Sequence, residues 1–483
     1  MRAPRPLAAA AALFLAVLPA RADQILPPGR ILGSDPANGD ILFGALKLGK
    51  RQGGKTTLQP DTVQIQGPGS TGPVDGMDVT SLAGVRRTFA QRLLDRVVFE
   101  DLGGGPDKTP AENCTALAKP EAKGKTIYFN DYTYSFSCTI VPPLNDNGRP
   151  ANLVGNGPDR TRLLQTTANL PTISLPTYSQ YARIEGLTLD RSVTATAGGD
   201  GIVVGDNVSH ITIRNVVSTN NYNGANLGTT DVSSVENLEA THNINNGVLL
   251  QNNDTTTQGG KPIQWNFTGR NILSYNNVDG LRIQANPGSL PAGTSEIVLG
   301  ELTGISTAGN LGSGISAYGA SNLPISDFRL SNHFIGGDAG IEVFLDTYGH
   351  SHSINGGFVE YSGTFCIYVT GNNSGVSVNG TSFLSCNKNA VYSDAPETTI
   401  TGISAQKTGY NTAFSNVERA TVYLGGVDSI VSGGVLSGGT YGVVTGAQRV
   451  TINAPVVTKT AVGDLAIMPD TIVRGVRGRA DAN

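Results

Sequence analysis

A short pattern of alternating apolar and polar positions repeats through the middle of the chain. It is visible in GGDGIVVGD, YNGANLG, NNGVLLQ, VDGLRIQ, GSGISAY and DAGIEVF, and FCIYV and NAVYSD continue it without the glycine. The anchors lie 23, 23, 33, 34, 26, 26 and 24 residues apart and are Gly201, Gly224, Gly247, Gly280, Gly314, Gly340, Cys366 and Ala390. A unit of about 23 residues with insertions explains this spacing.

A second strand pattern follows each anchor, as in HITIRNV, SVENLEA and ISDFRLSN. Alternation points Ile, Val and Leu inward and polar residues outward. The corners between strands are rich in asparagine, for example at Asn220, Asn243, Asn276 and Asn387. Short strands that recur coil after coil, with no helical pattern between them, predict an all-β fold, a parallel β-helix. A flat sandwich is disfavoured because its hairpin turns would not recur at one phase.

Composition narrows the class of partner. The chain has 483 residues, of which 15% are charged, and a net charge of -4, so no basic surface indicates a nucleic-acid partner. The 62 glycines favour short strands closed by tight turns. Four cysteines are too few to hold a chain of this length together. Cys114 and Cys138 are candidates for a disulfide, and Cys366 and Cys386 form a second, less favoured pair.

The N-terminus has the pattern of a secretory signal. Arg2 and Arg5 precede an apolar run at 7–18, and Ala20-Arg21-Ala22 supplies small residues for cleavage. The apolar run is too short to span a bilayer, so we expect a secreted or periplasmic protein without a membrane span. The predicted organisation is a signal peptide at 1–22, an N-terminal arm or linker at 23–94, the parallel β-helix at 95–465 and a C-terminal tail at 466–483.

The start of the predicted β-helix carries a family resemblance. RVVFEDLGGGPDKTPAENCTAL, GKTIYFNDYTYSFSCTI and LVGNGPDRTRLL resemble the entry segments of the pectate-lyase-like superfamily, in its tailspike-like and exopolysaccharide-degrading branch. The chain departs from that pattern at Thr109-Pro110-Ala111-Glu112, where relatives have an acidic run. The resemblance covers about residues 95 to 465. It implies a right-handed parallel β-helix, a polysaccharide or oligosaccharide partner and assembly as a homotrimer.

The segment NVDG at 277–280 resembles the Asn-Thr-Asp-Gly motif of polygalacturonases. The same corner reads GGDG at 198–201, NYNG at 221–224 and INNG at 244–247, as a turn with positive φ requires. Polygalacturonases also need an Asp-Asp pair, a Gly-His-Gly and an Arg-x-Lys. The chain offers only Asp338 and Gly349-His350-Ser351 in their place. We therefore interpret Asp279 as a structural residue.

Insertions point to a binding face. The segments QNNDTTTQGGKPIQ, QANPGSLPAGTSE and FLDTYGHSH each follow an anchor strand, so they should line one side of a groove. One predicted outward column is Leu249, Arg282, Ser316, Glu342, Tyr368 and Tyr392, and a second is Gln251, Gln284, Tyr318, Phe344 and Thr370. Rings and amides suit sugar binding. The predicted substrate-binding residues are Gln251, Gln284, Tyr318, Phe344, Tyr368 and Tyr392; a solvated face without function is the alternative.

Two reactions fit this face. Glycoside hydrolysis needs two carboxylates, for which the candidates are Glu342, Asp346, Glu360 and Asp338. β-Elimination needs a base and a cation, for which they are Arg282, Tyr318, His350 and His352. The predicted catalytic residues are Glu342, Asp346, Arg282 and His350. No metal or other cofactor is predicted, although calcium stays open because a groove of this kind can accept it.

The leading functional hypothesis is a secreted polysaccharide-active enzyme, a lyase or a glycoside hydrolase. The alternative is a non-catalytic carbohydrate-binding or surface-assembly β-helix protein. The insertions along one face favour the enzyme, whereas the scarcity of paired carboxylates favours the alternative. The fold does not decide between them, because this architecture hosts both kinds of protein.

Overall fold

The computed structural model describes residues 96–228, 230–231, 233–251, 264–265, 267–286 and 297–478, and the backbone of short strands between 33 and 88. The chain divides into two compact units, 1–96 and 97–483. The predicted signal peptide at 1–22 lies outside the described residues, as do 252–263 and 287–296 in two of the insertions. In the part of the chain that the structure describes, no helix has the length and apolar character needed to cross a bilayer.

The N-terminal unit is built from antiparallel strands. Five of them form one sheet: Gly33–Asp35, Asp40–Phe43, Leu46–Gln52, Lys55–Leu58 and Gln64–Ile65. A separate hairpin pairs Asp78–Thr80 with Arg86–Thr88. This segment, predicted as an arm, therefore contains regular secondary structure.

The second unit begins with a cap over its first coil. A 3-10 helix at Phe99–Leu102 precedes helix α1 at Pro110–Leu117, and a second 3-10 helix spans Pro120–Ala122. Thr109 and Glu112 form a capping box at the start of α1, in which the Thr109 N–H donates to Glu112 Oε2 at 2.8 Å. The residues that depart from the family pattern thus start the helix. A disulfide joins Cys114 of this helix to Cys138.

A twelve-stranded parallel sheet runs along one side of the unit, with one strand from each coil. Its strands are Ile173–Leu175, Ile202–Val204, Ala225–Leu227, Asn246–Gln251, Asp279–Gln284, Ile315–Tyr318, Val343–Asp346, Ile367–Val369, Val391–Ser393, Val422–Leu424, Tyr441–Thr445 and Gly463–Ala466. The first and third residues of the three-residue core point inward, as Ile202 and Val204 do, and the middle residue points outward. This is the sheet that the glycine-anchored pattern predicted.

A twenty-five-stranded sheet forms the remaining sides, and its pairing between successive coils is parallel throughout. Its strands are Arg96–Val98, Thr126–Tyr128, Thr133–Phe136, Asn152–Val154, Arg162–Gln165, Arg183–Arg191, Thr212–Thr219, Ser233–Thr241, Phe267–Tyr275, Glu301–Thr303, Ser306–Ala308, Arg329–Ser331, Phe334–Gly336, Ser353–Asn355, Phe358–Glu360, Ser377–Asn379, Ser382–Leu384, Thr399–Thr401, Ser404–Thr408, Ile430–Ser432, Val435–Gly438, Thr451–Asn453, Val456–Thr458, Ile472–Arg474 and Arg477–Gly478. The predicted all-β parallel β-helix is confirmed.

The twenty-five-stranded sheet bends once in each coil at a left-handed residue. Asn215 (φ 53°), Asn237 (φ 53°) and Asn271 (φ 51°) occupy this position in successive coils, and Gly304 (φ 68°) takes it in the next. Asparagine and glycine tolerate this backbone conformation better than other residues. Two smaller groups of strands complete the described part of this unit: Val208–Ser209 with Thr230–Asp231, and the three-stranded sheet of Gln264–Trp265, Ile297–Leu299 and Ile325–Ser326.

A second stack of polar residues lies at the corner before the twelve-stranded sheet. We call it the corner ladder, and it consists of Asn221, Asn243, Asn277, Asn310 and Asp338, all at most 4% exposed. Each backbone N–H donates to the side-chain oxygen of the next coil, as Asn277 does to Asn310 Oδ1 at 3.0 Å. The side-chain amides donate back to carbonyls of the preceding coil, as Asn277 Nδ2 does to the Ala240 oxygen at 3.1 Å. The NVDG segment is therefore engaged in the fold.

Candidate functional site

The outer face of the twelve-stranded sheet carries a continuous row of rings. We call it the aromatic ribbon, and it consists of Tyr318, Phe344, Phe365, Tyr368, Tyr392 and Tyr423. Centroid distances along it are 5.2 Å for Tyr318–Phe344, 5.5 Å for Phe344–Tyr368, 5.1 Å for Tyr368–Tyr392 and 4.4 Å for Tyr392–Tyr423. Phe365 fills the angle between Tyr368 and Tyr392. Four strand spacings separate the ends, so the ribbon is about 19 Å long.

The register of this face corrects one prediction. The columns drawn from the sequence placed Glu342 beside Ser316, but the structure pairs Phe344 with Ser316 and Asp346 with Tyr318. The predicted alignment is wrong by two residues in this coil, because the turn before Val343–Asp346 is two residues longer than assumed, whereas Tyr368 and Tyr392 lie in the predicted column. Glu342 thus occupies the position that Gly314 holds in the previous coil, and Phe344 joins the column of Arg282.

Glu342 points into the protein instead of the groove. The residue is 0% exposed, and its Oε1 accepts the Asp338 N–H at 3.2 Å. Asp338, itself 1% exposed, accepts hydrogen bonds from the Asn310 N–H at 2.7 Å and from Thr307 Oγ1 at 3.0 Å. Burial raises the pKa of Glu342 to about 11, and the neighbouring Asp338 side chain adds to the rise. Glu342 is therefore a neutral acid at the end of the corner ladder.

Two carboxylates do reach the edge of the ribbon. The pairing of Leu345 with Val369 and of Val369 with Ser393 puts the next residues, Asp346, Thr370 and Asp394, in one column. Asp346 and Asp394 are then two strand spacings apart, about 10 Å. This backbone spacing is about twice the carboxyl separation of about 5 Å found in retaining glycosidases and lies just above the inverting range, roughly 6.5–9.5 Å.

The surroundings of the two carboxylates differ. Asp346 accepts hydrogen bonds from Thr370 Oγ1 at 2.7 Å and from Asn372 Nδ2 at 2.9 Å. Burial raises the pKa of Asp394, and a hydrogen bond with the Tyr392 side chain opposes part of that rise. Burial also raises the pKa of Tyr368, and the charges of Asp394 and Asp346 add to the effect, so both acids lie near this ring.

Glycine makes room for Asp394. A side chain at Gly425 would collide with Asp394 Oδ1 and with the Tyr423 ring. The carboxyl group of Asp394 therefore leans over the glycine of the next coil, against the rings of the ribbon. An environment of this kind, with a carboxyl group partly withdrawn from water beside aromatic rings, is suited to a general acid.

The cations beside the ribbon are already paired. Arg282 Nη1 contacts Asp279 Oδ2 at 3.2 Å, its Nε donates to Gln284 Oε1 at 3.1 Å, and its guanidinium lies 4.7 Å from the Tyr318 ring. Asp279 also accepts the Ser313 N–H at 2.8 Å, which gives it the structural contacts expected from the sequence. Lys388 contacts Glu418 at 2.7 Å.

The remaining predicted residues lie at two places. Gln251 and Gln284 pair in register with Tyr318, as the second predicted column required. His350 lies beyond the turn that follows Asp346, where its N–H donates to Ser326 Oγ at 3.0 Å. The structure does not bring its ring to the ribbon with Arg282, so the four predicted catalytic residues do not converge.

His352 is the second histidine that the sequence offered for β-elimination. It is 1% exposed and lies 2.8 Å from Thr347 Oγ1 through Nε2, whereas His350 is exposed. Burial lowers the pKa of His352 to about 4, so the ring is neutral at ordinary pH. Within the described ranges, no group of three or more His, Cys, Asp or Glu side chains is arranged to hold a metal ion.

A cavity of about 840 Å³ lies elsewhere, along the bend of the twenty-five-stranded sheet. Its floor is the row of Asn215, Asn237 and Asn271, whose side chains are hydrogen-bonded to one another. The two carboxylates that line it are engaged, Glu185 by Arg214 and Glu239 by the Tyr275 hydroxyl. We favour the ribbon as the site, since it combines partly exposed rings with carboxylates that have no cationic partner among the described residues.

Sequence reasoning missed Phe365, Lys388, Asp394 and Tyr423. The signal for Tyr423 was present, because Tyr368, Tyr392 and Tyr423 occupy the middle of IYV, VYS and VYL in successive coils. Asp394 directly follows VYS, the middle one of these segments. The predicted columns ended at NAVYSD, one coil too early, because VYL lies in a longer unit without a glycine anchor. Phe365 precedes its strand and reaches the ribbon from the corner, which strand alternation does not reveal.

No family model and no curated protein sequence matches the chain. Solved structures do match. The N-terminal fragment of bacteriophage phi29 gene product 12 is 13% identical, with 79% of this chain and 70% of that chain covered and a TM-score of 0.60. Tailspike protein 3 of bacteriophage CBA120 is 14% identical, with 84% and 66% covered and a TM-score of 0.56. The A-module of the Azotobacter vinelandii mannuronan C-5 epimerase AlgE4 is 14% identical, with 78% and 99% covered and a TM-score of 0.52.

These likenesses concern the fold. Together with the long parallel sheets they confirm the predicted class, a right-handed parallel β-helix. The architecture is thus the one implied by the resemblance to the pectate-lyase-like superfamily.

Proposed function

We propose that the protein binds an extended polysaccharide along the aromatic ribbon and hydrolyses it between Asp346 and Asp394. The observation that carries this proposal is the placement of both carboxylates in one column beside Tyr368. Aromatic rings in a row suit the C–H faces of successive sugars. The epimerase among the structural neighbours is named for a polysaccharide, mannuronan, which agrees with a polysaccharide partner but, being a polyuronate, carries no argument for the charge of that partner.

The spacing of the carboxylates supports hydrolysis with inversion. Asp394, whose pKa burial raises, donates its proton to the glycosidic oxygen as the bond from that oxygen to the anomeric carbon breaks. Asp346 takes a proton from a water molecule, whose oxygen attacks the anomeric carbon from the opposite face. The products are a new reducing end and an alcohol, and the proton gained by Asp346 returns through solvent to Asp394. Thr370 and Asn372 orient Asp346 for this role.

β-Elimination has less support from the same site. It requires a cation to stabilise the enolate that forms when the proton beside the carboxylate leaves. Arg282 is the cation that the sequence predicted for this role, and its guanidinium is already engaged by Asp279 and Gln284. Binding without cleavage is the second candidate, because the ribbon on its own is sufficient for binding.

The test is cleavage of a panel of neutral and acidic polysaccharides by the full chain, followed through reducing ends and absorbance near 235 nm. We expect new reducing ends without absorbance, and a loss of about 10²–10⁴-fold in Asp394→Asn and in Asp346→Asn. Glu301→Gln, a carboxylate of the other sheet that accepts from Thr303, is the matched control and should keep full activity. Absorbance at 235 nm would indicate a lyase, and binding without either signal would indicate the non-catalytic candidate.

Two further parts of the hypothesis remain proposals. Export to an oxidising compartment is supported by the bonded pairs Cys114–Cys138 and Cys366–Cys386, since disulfides persist there. The homotrimer is supported by the sequence resemblance. A monomeric mass in light scattering would contradict it.

A further inference from the structure

We infer that the polysaccharide bound by the aromatic ribbon is uncharged, and that this face excludes polyuronates. The inference rests on the proposed function and gives its substrate class. It is carried by the charged and acidic groups along the ribbon, where the described cations are paired and the two acids, Asp346 and Asp394, have no cationic partner among the described residues.

Arg282 cannot bind a sugar carboxylate without losing its own contacts with Asp279 and Gln284. Its Nη1 lies 3.2 Å from Asp279 Oδ2, its Nε is bonded to Gln284, and one face of the guanidinium is covered by Tyr318. Asp279 is 7% exposed and is held by the Ser313 N–H, so it stays beside Arg282. An incoming carboxylate would have to displace a charge that the fold fixes in place.

Lys388 is more enclosed still. Its Nζ lies 4.5 Å from the Phe365 ring, 4.2 Å from the Phe414 ring and 2.7 Å from Glu418 Oε1, and its side chain is 13% exposed. The two rings and the glutamate supply its partners from three sides. It therefore supports the ribbon from behind, through Phe365, and leaves little positive charge for a ligand.

The acids on the same face lack such neutralisation among the described residues. Asp346 is bonded to the neutral groups of Thr370 and Asn372, and the described hydrogen-bond partner of Asp394 is Tyr392. A chain with one carboxylate on each sugar would lie against these two groups over about half of the ribbon. Ionised Asp346 repels a sugar carboxylate, Asp394 adds to the repulsion whenever it has released its proton, and partial exclusion of water strengthens the effect. A neutral chain meets no such penalty, and its hydroxyls can donate to Asp346.

The experiment compares a neutral mannohexaose with an anionic hexagalacturonate, by calorimetric titration of the full chain at low temperature. We expect the neutral probe to bind at least about ten-fold more tightly. The double variant Asp346→Asn/Asp394→Asn should bind hexagalacturonate more tightly than the wild type does, which narrows the gap to about three-fold. Raising the salt concentration should likewise improve binding of the anionic probe to the wild type, through screening.

Each outcome bears on one proposal. Equal or tighter binding of hexagalacturonate by the wild type overturns the substrate class and leaves the ribbon as a polysaccharide site. An unchanged gap in the double variant overturns it too, since the two acids would not be the cause. If neither hexagalacturonate nor any neutral oligosaccharide of a broad set binds to the folded wild type, the proposed function itself is overturned. Thermal unfolding and circular dichroism of the double variant establish that it is folded.

Discussion

The corner ladder and the aromatic ribbon are two stacks built on the same coils, a few residues apart along each turn. In the ladder, every rung from Asn221 to Asp338 exchanges hydrogen bonds with the coils on both sides and is hidden from water. In the ribbon, the rings contact one another but keep partly exposed faces, and Asp346 and Asp394 are not neutralised by a described cation.

The difference shows how one repeat supports two tasks. A stack whose buried polar groups are mostly paired with one another lowers the free energy of the fold and leaves little for a ligand. A stack that retains exposed rings and carboxylates contributes less to the fold and keeps its surface available for binding. Position within the coil, and not residue type alone, decides which of the two a polar residue serves.

The strongest way to test this division is to remove a rung of the ladder. Asn277→Ala deletes the acceptor of the Asn243 N–H and the donor to the Ala240 oxygen, so buried groups lose their partners. We expect a loss of about 3 kcal/mol in the free energy of unfolding, measured by denaturant titration. Cleavage per folded molecule should stay unchanged.

The control is Asn237→Gly on the exposed bend, where glycine suits the left-handed backbone and hydrogen bonds to only two neighbouring asparagines are lost. It should cost less than about 1 kcal/mol. A stability loss in Asn277→Ala no greater than in this control, or a specific loss of cleavage, would break the proposed division.

The second prediction concerns Glu342, at the end of the ladder, and the pH dependence of the free energy of unfolding. The folded pKa of Glu342, about 11, is above its ordinary value of 4.5. Its contribution to stability is therefore fully present below pH 4.5 and is lost as the pH rises toward the folded pKa. Between pH 5 and 9 we expect the stability of the wild type to fall as the pH rises, whereas Glu342→Gln, which stays neutral, should not show this fall.

Thermal unfolding of both proteins across this range is the measurement, with Glu301→Gln as the control that should follow the wild type. If the wild type and Glu342→Gln show parallel curves, Glu342 is ionised in the folded state. The ladder would then end in a buried charge, which contradicts its description as a stack of neutral, satisfied groups at that end.

The mildest test truncates one ring of the ribbon. Tyr368→Ala removes the ring between Phe344 and Tyr392 and should weaken neutral oligosaccharide binding about ten-fold, as measured by calorimetry. Phe358→Ala, from the stacked pair Phe334–Phe358 of the other sheet, is the matched control and should leave affinity unchanged. Equal effects of the two variants would assign binding to neither stack.

The fold could be predicted from the sequence because the same glycine-anchored strand pattern recurs in successive coils. Glycines at 201, 224, 247, 280 and 314 stand directly before strands that pair in the structure. The corner asparagines were also a correct signal, and Asp279 has the structural contacts that were expected of it. Periodicity sufficed here because each coil has to bury the same inward positions.

The site was less accessible, for a geometric reason. Gly340 continued the glycine series in the sequence. Because the turn before Val343–Asp346 is longer, however, Glu342 takes the position that this glycine was predicted to hold, and Phe344 takes the position predicted for Glu342. Asp394 could not be paired with Asp346 until that register was known. Contacts such as Lys388 between Phe365 and Phe414 depend on corner geometry, about which alternation along a strand carries no information.

The disulfide Cys366–Cys386 cross-links two neighbouring coils of the site. Cys366 stands directly before the strand that bears Tyr368, and Cys386 lies in the corner that leads to the strand of Tyr392 and Asp394. The bond thus links the coil that carries Asp394 to the neighbouring coil that carries Tyr368, on the side toward Asp346. In a reducing environment the bond opens, and the coil of Asp394 is then held to its neighbour by hydrogen bonds and packing alone, so the redox state of the surroundings affects how firmly the acid is positioned.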